Sequence, residues 1–415
     1  MYPMASKDPT PLAAIADSGD DRAVYGAPPR ARRFPAWTAN LALAAASLAL
    51  ALLVGEGLVR LLSPIGPALL VTDPGVGKRF VPGFRGRVFV DEAEREIEVR
   101  INSAGFPGRE WPRQKPELGL RVAVVGDSMT AAIATDEERR FVRRLEASLA
   151  GELAPRPVEV LNFGVSSAST ASELAEWRAV VAGYAPDLVL LAFFTGNDVG
   201  DNSPRLTRAP RVYFDLDAEG KLVPAERPPP TPALVRWLDR HSRLYVWQKV
   251  ALRRLRGTGR SSRGLEPGQM IFARAGGPDV EHAWSLTAAL LRQLRDEVEA
   301  SGARIAVAVI PCAEQVDDAL WGDLARRARD AGFEVEREGP SRRLAQIAAR
   351  EGIPLVDLAP AFAAAARRSP GEPASAARLF LLGRFHLSDE GHRVLAEAVH
   401  RFLTEGEGRG LLAPR

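Results

Sequence analysis

The sequence predicts a three-layer α/β/α fold with a parallel, flavodoxin-like sheet, preceded by a transmembrane helix. From Leu120 onwards, short apolar segments rich in β-branched residues alternate with segments of helical periodicity. Such alternation is typical of a parallel sheet that is covered by helices on both faces. Near the N-terminus no charged residue occurs from Phe34 to Gly55, and a run of about 20 apolar residues is long enough to span a bilayer.

The length and composition fit one large globular domain with appendages and exclude several other classes. The chain has 415 residues and a net charge of +3, which is too balanced for a general nucleic-acid footprint. Its single cysteine, Cys312, excludes an internal disulfide, and it follows an apolar strand, so we expect a buried, inert thiol. The histidines are too scattered for a metal site, and no phosphate loop or dinucleotide turn occurs, so we expect no metal and no cofactor.

The N-terminal segment predicts a membrane anchor. Residues 1–33 are polar and aperiodic, which indicates a disordered tail, and they end in a basic cluster. Positive charge before an apolar helix predicts a cytoplasmic N-terminus, so 34–62 would be a single-pass signal anchor in the inner membrane with the remaining chain in the periplasm. Trp37 could lie at one interface. A cleaved signal peptide and a buried soluble helix remain as alternatives.

Residues 63–118 are punctuated by Pro and Gly and predict a small extracytoplasmic extension packed on the main domain. The segment GRVFVDEAEREIEVRIN (86–102) has the composition of a strand pair within it. The main domain is expected to occupy 119–405, with an insertion at 201–279 and a short tail at 406–415. Because the insertion follows the carboxyl end of a strand, it could form a cap over a site; a solvated loop is the alternative.

The main domain contains a regular series of predicted elements. Strands are expected at 121–126, 158–164, 187–194, 303–311 and 354–358. Helices are expected across 138–149, 171–181, 281–301 and 341–351. A final amphipathic helix should begin after Ser388, which has the residue type of an N-cap.

Four residues suited to acyl transfer follow one another at the ends of these elements. Ser128 comes directly after the first strand of the domain, where open α/β sheets place their sites. A serine hydroxyl needs a base within hydrogen-bond reach, and His386, just before the last helix, could supply it. The backbone N–H groups of Ser128 and Gly164 and the amide of Asn197 could hold the oxyanion of a tetrahedral intermediate.

This ordered set resembles the SGNH (GDSL-type) hydrolase superfamily. The matching blocks are GDS (126–128), NFG (162–164), GND (196–198) and HLS (386–388), and the resemblance covers roughly residues 120–405. The segment VRINSAGFPGRE (99–110) is similar to the lead-in of membrane-anchored bacterial members. The resemblance implies an ester hydrolase with Ser128 as nucleophile and His386 as base.

One position departs from that family. The acid that orients the histidine usually lies three residues before it, and Gly383 stands there. The segment DEGH offers Asp389 and His392 at the usual spacing, but the string HLSDEGHRVLA fits the family better with His386 as the base. The orienting group is then left open between a backbone carbonyl, another acid such as Asp357, and none at all, which would weaken or abolish activity.

We therefore expect an ester hydrolase that forms an acyl-enzyme on Ser128. Its substrate would be an acyl or acetyl ester on a polysaccharide or lipid of the cell envelope. An O-acyltransferase remains possible because water and a sugar hydroxyl attack the same intermediate. A weak or inactive glycan-binding scaffold also remains possible because the usual acid is absent. The sequence predicts no nucleic-acid partner and leaves the oligomeric state open.

Overall fold

The structure is a computed structural model of the full chain. It describes residues 36–62, 69–207, 209, 211–225, 231–256, 265–367, 373–382 and 385–413. The predicted disordered tail (1–33) and Gly383 lie outside the described residues.

The described residues form eleven strands and thirteen α-helices, and along the main domain the strands alternate with helices. The strands are β1 (Leu70–Asp73), β2 (Gly77–Phe80), β3 (Arg85–Val90), β4 (Arg95–Arg100), β5 (Leu120–Gly126), β6 (Val158–Gly164), β7 (Leu188–Phe194), β8 (Phe214–Leu216), β9 (Leu222–Pro224), β10 (Arg304–Ile310) and β11 (Leu355–Asp357). The helices are α1 (Ala36–Leu62), α2 (Ser128–Ala131), α3 (Phe141–Glu152), α4 (Thr170–Ala179), α5 (Asp198–Asn202), α6 (Ala233–His241), α7 (Arg243–Arg256), α8 (Pro278–Ala300), α9 (Ala313–Val316), α10 (Asp318–Asp330), α11 (Gly339–Arg350), α12 (Ala359–Ala366) and α13 (Asp389–Thr404).

The centre of the main domain is a parallel sheet of five strands in the order β11-β10-β7-β5-β6. This is the flavodoxin-like order, in which the first strand of the domain lies beside its second and third. Strands β5 and β7 are buried along their whole length, as expected for strands covered on both faces. The predicted α/β/α fold is therefore confirmed.

The helix predicted near the N-terminus is present as α1. The segment Trp37–Leu62 has a mean hydropathy of 2.0 and no buried part, so its length and composition are sufficient to cross a membrane. The chain divides into two compact units, with the boundary between Val54 and Gly55. The second unit contains the extension and the main domain.

The extension contributes two antiparallel hairpins, β1–β2 and β3–β4. The strand pair predicted at 86–102 is confirmed, with Val88 opposite Ile97. One face of β4 is apolar: Ile97 and Val99 are buried in a small cluster that includes Ala131 of α2. The hairpin therefore shares a hydrophobic core with the helix that begins at Ser128.

Two segments outside the predicted series of strands and helices, the insertion and the C-terminal tail, contain defined structure in their described residues. The 201–279 insertion contains β8, β9, α6 and α7. Glu56, in the last part of α1, accepts hydrogen bonds from the backbone N–H groups of Arg243 and Leu244, which would otherwise lack partners at the start of α7. The C-terminal tail forms a 3₁₀ helix at Glu407–Leu412, whose Leu412 carbonyl accepts a hydrogen bond from Arg156.

A buried arginine ties the extension to the sheet. The side chain of Arg121, at the start of β5, is fully buried. It forms an ion pair with Glu159 on β6 at 2.7 Å. Its remaining N–H groups donate to four backbone carbonyls, those of Pro112, Arg113, Gln114 and Tyr184. The backbone of Pro112–Gln114 in the extension is therefore fixed to the start of β5 by charge-assisted hydrogen bonds from a buried guanidinium.

We expect Arg121→Ala to lower the free energy of unfolding by about 3–5 kcal/mol, because it leaves Glu159 and the four carbonyls without their donor. Thermal unfolding of the purified full-length protein measures the effect. Arg87→Ala is the control, since Arg87 forms only an exposed ion pair with Glu96 on the same hairpin. Equal unfolding temperatures for the two variants would contradict the structural role of Arg121.

Candidate active site

Ser128 lies where β5 ends and the short helix α2 begins. The carboxylate of Asp127 caps this helix by accepting a hydrogen bond from the Met129 N–H at 2.8 Å. Gly126 is required at the turn because a Cβ there would lie 2.3 Å from Thr130 Oγ1. The turn places Ser128 at the carboxyl end of the parallel sheet, the edge predicted from the sequence.

His386 lies in the loop before α13, next to Ser128. Its Nε2 is 2.9 Å from Ser128 Oγ. The loop is held by a bridge between Phe380 and Leu387 and by the Leu381 N–H, which donates to the His386 carbonyl at 2.8 Å. Ser388 caps α13 by accepting a hydrogen bond from the Gly391 N–H. Two residues that are 258 positions apart in the chain are thus within hydrogen-bond distance.

The other ring nitrogen of His386 contacts an acid that sequence reasoning missed. Nδ1 is 2.6 Å from Oε2 of Glu92, in a 3₁₀ turn (Asp91–Ala93) between β3 and β4. Because a carboxylate can only accept, Nδ1 carries the hydrogen and Nε2 is left to accept from Ser128. Asp357, the acid considered from the sequence, instead accepts hydrogen bonds from the Ala359 N–H and the Ser341 hydroxyl.

The second candidate base, His392, occupies a different environment. It is 2% exposed, and its ring stacks on Phe141 with centroids 6.1 Å apart. Burial, together with the charges of Arg140 and Arg144, lowers the pKa of His392 to about 3. Asp389 forms an ion pair with Arg139. Within the DEGH segment, His392 therefore serves packing and Asp389 an ion pair, and neither contacts Ser128.

The pKa of His386 is raised above its ordinary value. Burial lowers it, but the hydrogen bond and negative charge of Glu92, together with the charge of Asp127, outweigh that effect. A neighbouring carboxylate stabilises the imidazolium form, which is the form a general base must reach during a reaction.

The predicted oxyanion donors lie around Ser128 but two of them already have partners. The Gly164 N–H donates to Oδ1 of Asn162 at 2.9 Å. The Asn197 amide donates to Asp127 and to Asp201, at 3.2 Å in both cases. Ser128 is the first residue of α2, so its N–H belongs to the helix end that has no intrahelical acceptor.

Asp127 and two carboxyl groups that interact with it, those of Asp198 and Glu173, are buried next to the site. Desolvation raises the pKa of Asp127 to about 6, although the Met129 N–H, Asn197 and His386 oppose it. Burial also raises the pKa of Asp198 and Glu173 well above the usual range, helped by the charge of Asp127. Asp198 accepts a hydrogen bond from the Phe194 N–H at 2.7 Å, and this contact stabilises the turn that carries Asn197.

A sequence profile of the GDSL-like lipase/acylhydrolase family matches residues 124–394, which is more than half of the chain. The chain belongs to this family. It is therefore an ester hydrolase, and the resemblance seen in the sequence is confirmed. No functionally curated protein sequence matches this acylhydrolase.

Three solved structures that are similar to the acylhydrolase have low sequence identity to it and TM-scores below 0.5. LAE5, an α/β hydrolase from the metagenome of Lake Arreo, Spain, is 18% identical with a TM-score of 0.38, covering 71% of this chain and 97% of that one. Axe2, an acetylxylan esterase from Geobacillus stearothermophilus, is 16% identical with a TM-score of 0.38, covering 72% and 99%. TesA is 17% identical with a TM-score of 0.37, covering 68% and 98%.

A cavity of about 510 Å³ opens beside Ser128 and His386 in this acylhydrolase. Its walls combine apolar side chains with serine hydroxyls and the Asn197 amide; they include Val90, Ile133, Ala134, Ser166, Ser167 and Phe385. A second cavity of about 220 Å³ shares Phe385 and is lined by Glu266 and Gln269 from the insertion. Among the described residues of the insertion, Asp201 at its start is the one that lines the first cavity.

Within the part of the chain that the structure describes, no group of three or more His, Cys, Asp or Glu is arranged to hold a metal ion. Cys312, which was expected to be inert, is buried, and burial raises the pKa of its thiol well above the usual range.

Gly164→Ala should reduce ester hydrolysis by about 10²-fold, because a displacement of the reacting group by about 1 Å has an effect of this size. An added Cβ would lie 2.2 Å from the Ala131 nitrogen, so α2 and Ser128 must move. Gly151→Ala on α3 is the control, since its Cβ meets nothing within 4 Å. Hydrolysis of p-nitrophenyl acetate measures both, and an active Gly164→Ala variant would show that α2 tolerates displacement.

Proposed function

We propose that this acylhydrolase is a serine esterase that forms an acyl-enzyme on Ser128 with His386 as general base. The observation that carries the proposal is the 2.9 Å distance between Ser128 Oγ and His386 Nε2 at the carboxyl edge of the parallel sheet. Serine is a weak nucleophile at neutral pH, so a base at this distance is what makes attack on an ester feasible.

In the first half of the proposed reaction, Ser128 Oγ forms a bond to the ester carbonyl carbon while its proton passes to His386 Nε2. The tetrahedral intermediate then collapses, the carbon–oxygen bond to the alcohol breaks, and Nε2 returns the proton to the departing alkoxide. In the second half, a water molecule attacks the acyl-enzyme and gives its proton to Nε2. That proton returns to Ser128 Oγ as the carboxylic acid leaves.

The oxyanion of each intermediate needs hydrogen-bond donors. We assign them to the Ser128 N–H, the Gly164 N–H and the Asn197 amide. The last two already donate hydrogen bonds within the protein. The Gly164 N–H donates to Asn162, and the Asn197 amide donates to the carboxylates of Asp127 and Asp201. Each must therefore share its hydrogen with the substrate oxygen or give up its internal acceptor, and the Ser128 N–H at the start of α2 is the donor that binding disturbs least.

The geometry favours an active enzyme over an inactive glycan-binding scaffold. The scaffold hypothesis expects Ser128 beyond reach of the base and no acceptor at the far side of the imidazole. Instead both ring nitrogens of His386 have partners at hydrogen-bond distance. An acyltransferase would use the same groups, and transfer to an added sugar without net hydrolysis would identify it.

We further propose that the substrate is an acyl or acetyl ester on a polysaccharide or lipid of the cell envelope. The support is the combination of an apolar N-terminal helix with basic residues before it, which suits a single-pass anchor in the inner membrane and a periplasmic catalytic domain. A cavity with both apolar and hydroxyl-bearing walls suits an ester joined to a polar carrier.

A fluorophosphonate probe should label the full-length protein in detergent, and Ser128→Ala should abolish both labelling and ester hydrolysis. The reagent phosphonylates a serine only where a base and oxyanion donors activate it. Ser285→Ala is the control, since this exposed serine on α8 donates its hydroxyl hydrogen to the Glu281 carbonyl of its own helix. Labelling that survives in Ser128→Ala, or its absence in the wild type, would falsify the proposed mechanism.

A topology experiment tests the proposed anchor. Alkaline phosphatase fused to the C-terminus of the full chain should be active, because the enzyme folds only outside the cytoplasm. An N-terminal epitope tag on the same chain should remain attached, since an anchor is retained whereas a signal peptide is removed. An inactive fusion would contradict the periplasmic placement, and loss of the tag would contradict the anchor.

A further inference from the structure

We propose that Glu92 is the positioning residue for His386, taking the place of the acid that the family carries three residues before its histidine. The inference rests on the proposed function. It makes the extension that precedes the hydrolase domain an integral part of the catalytic site. The acid and the base it orients are 294 positions apart in the chain.

The first argument is the hydrogen-bond geometry of the imidazole. A neutral imidazole has one N–H donor and one acceptor nitrogen, and only a form with the hydrogen on Nδ1 lets Nε2 accept from a serine. Glu92 Oε2, 2.6 Å from Nδ1, stabilises that form. When Nε2 takes the serine proton, the same carboxylate faces the new positive charge, and the carboxylate itself need not change protonation.

The second argument is that Glu92 is held in place by several independent contacts. The hairpin that carries it shares a hydrophobic core with α2 through Ile97, Val99 and Ala131. Arg95, just after the turn, pairs with Asp136 at 2.8 Å. The Glu92 carbonyl also accepts a hydrogen bond from the Leu382 N–H, in the loop that leads to His386. A carboxylate fixed to both partners is preorganised for its role.

The third argument comes from the other acids near the site. Asp127 lies beside Ser128, but its two carboxylate oxygens accept from the Met129 N–H and the Asn197 amide. Asp201 pairs with Arg211 and accepts from Asn197. Of the carboxylates that the structure describes around the cavity, Glu92 is the one bonded to the imidazole, which explains how a glycine can stand at position 383.

Glu92→Gln in the full-length protein should reduce kcat for ester hydrolysis by about 10²–10⁴-fold, with a small change in KM. The amide keeps the shape but loses the charge that stabilises the imidazolium. Glu92→Asp keeps the charge and should recover part of the rate. Glu94→Gln is the matched control, because it makes the same charge change at an exposed position two residues away.

The pH profile distinguishes a positioning role from a purely structural one. In the wild type, kcat/KM should rise with pH through an apparent pKa above 6.5, because His386 must be neutral to accept a proton and its pKa is raised. Glu92→Gln removes the main raising influence, so the acid limb should move to lower pH. Asp127, Asp201 and His392, which are titratable groups near His386 among the described residues, are the same in every variant.

The outcomes separate this inference from the proposed function. If Ser128→Ala is inactive while Glu92→Gln has the wild-type kcat and acid limb, Glu92 is not the positioning residue and the serine mechanism stands. If Ser128→Ala remains active, the proposed function itself fails. A Glu92→Gln variant whose rate falls with an unmoved acid limb, and which Glu92→Asp does not rescue, would assign Glu92 a structural role only.

Discussion

The chain of hydrogen bonds from Ser128 through His386 to Glu92 is the constraint on which the rest of the structure depends. Its three members come from three separate segments: the end of β5, the loop before α13 and the turn between β3 and β4. The distances of 2.9 Å and 2.6 Å leave little freedom for any of the segments to move. Each must therefore be anchored by packing of its own.

The three segments are held in place by different kinds of contact because they differ in secondary structure. The end of β5 is fixed by the buried parallel sheet, and glycines at 126 and 164 allow α2 to lie directly against the strand ends. The His386 loop is irregular and is held by backbone hydrogen bonds to its neighbours. The Glu92 turn is held by the small hydrophobic cluster under its hairpin and by the Arg95–Asp136 pair.

Much of this arrangement follows from local sequence patterns. Alternating apolar segments predicted each of the five strands of the main sheet, and the Ser388 cap predicted the start of α13. The sequence did not predict α10, whose few large apolar residues lie among Ala, Arg and Asp, or α12, which consists of Ala with one Pro and one Phe. It offered no reason to single out Glu92 either, since Glu92, Glu94, Glu96 and Glu98 lie together in one charged hairpin. The glycine at position 383 was the one signal that an acid had to come from elsewhere.

The sequence by itself determined the fold class, the family and the order of the four blocks, because these depend on periodicity and on residue types at short spacing. Only the tertiary structure decided which histidine meets Ser128 and which acid meets that histidine. His386 and His392 are six residues apart, and burial against Phe141 rather than any sequence feature separates them. Glu92 reaches His386 because the β3–β4 hairpin packs on α2. The two residues are 294 positions apart, so no local sequence pattern could predict their contact.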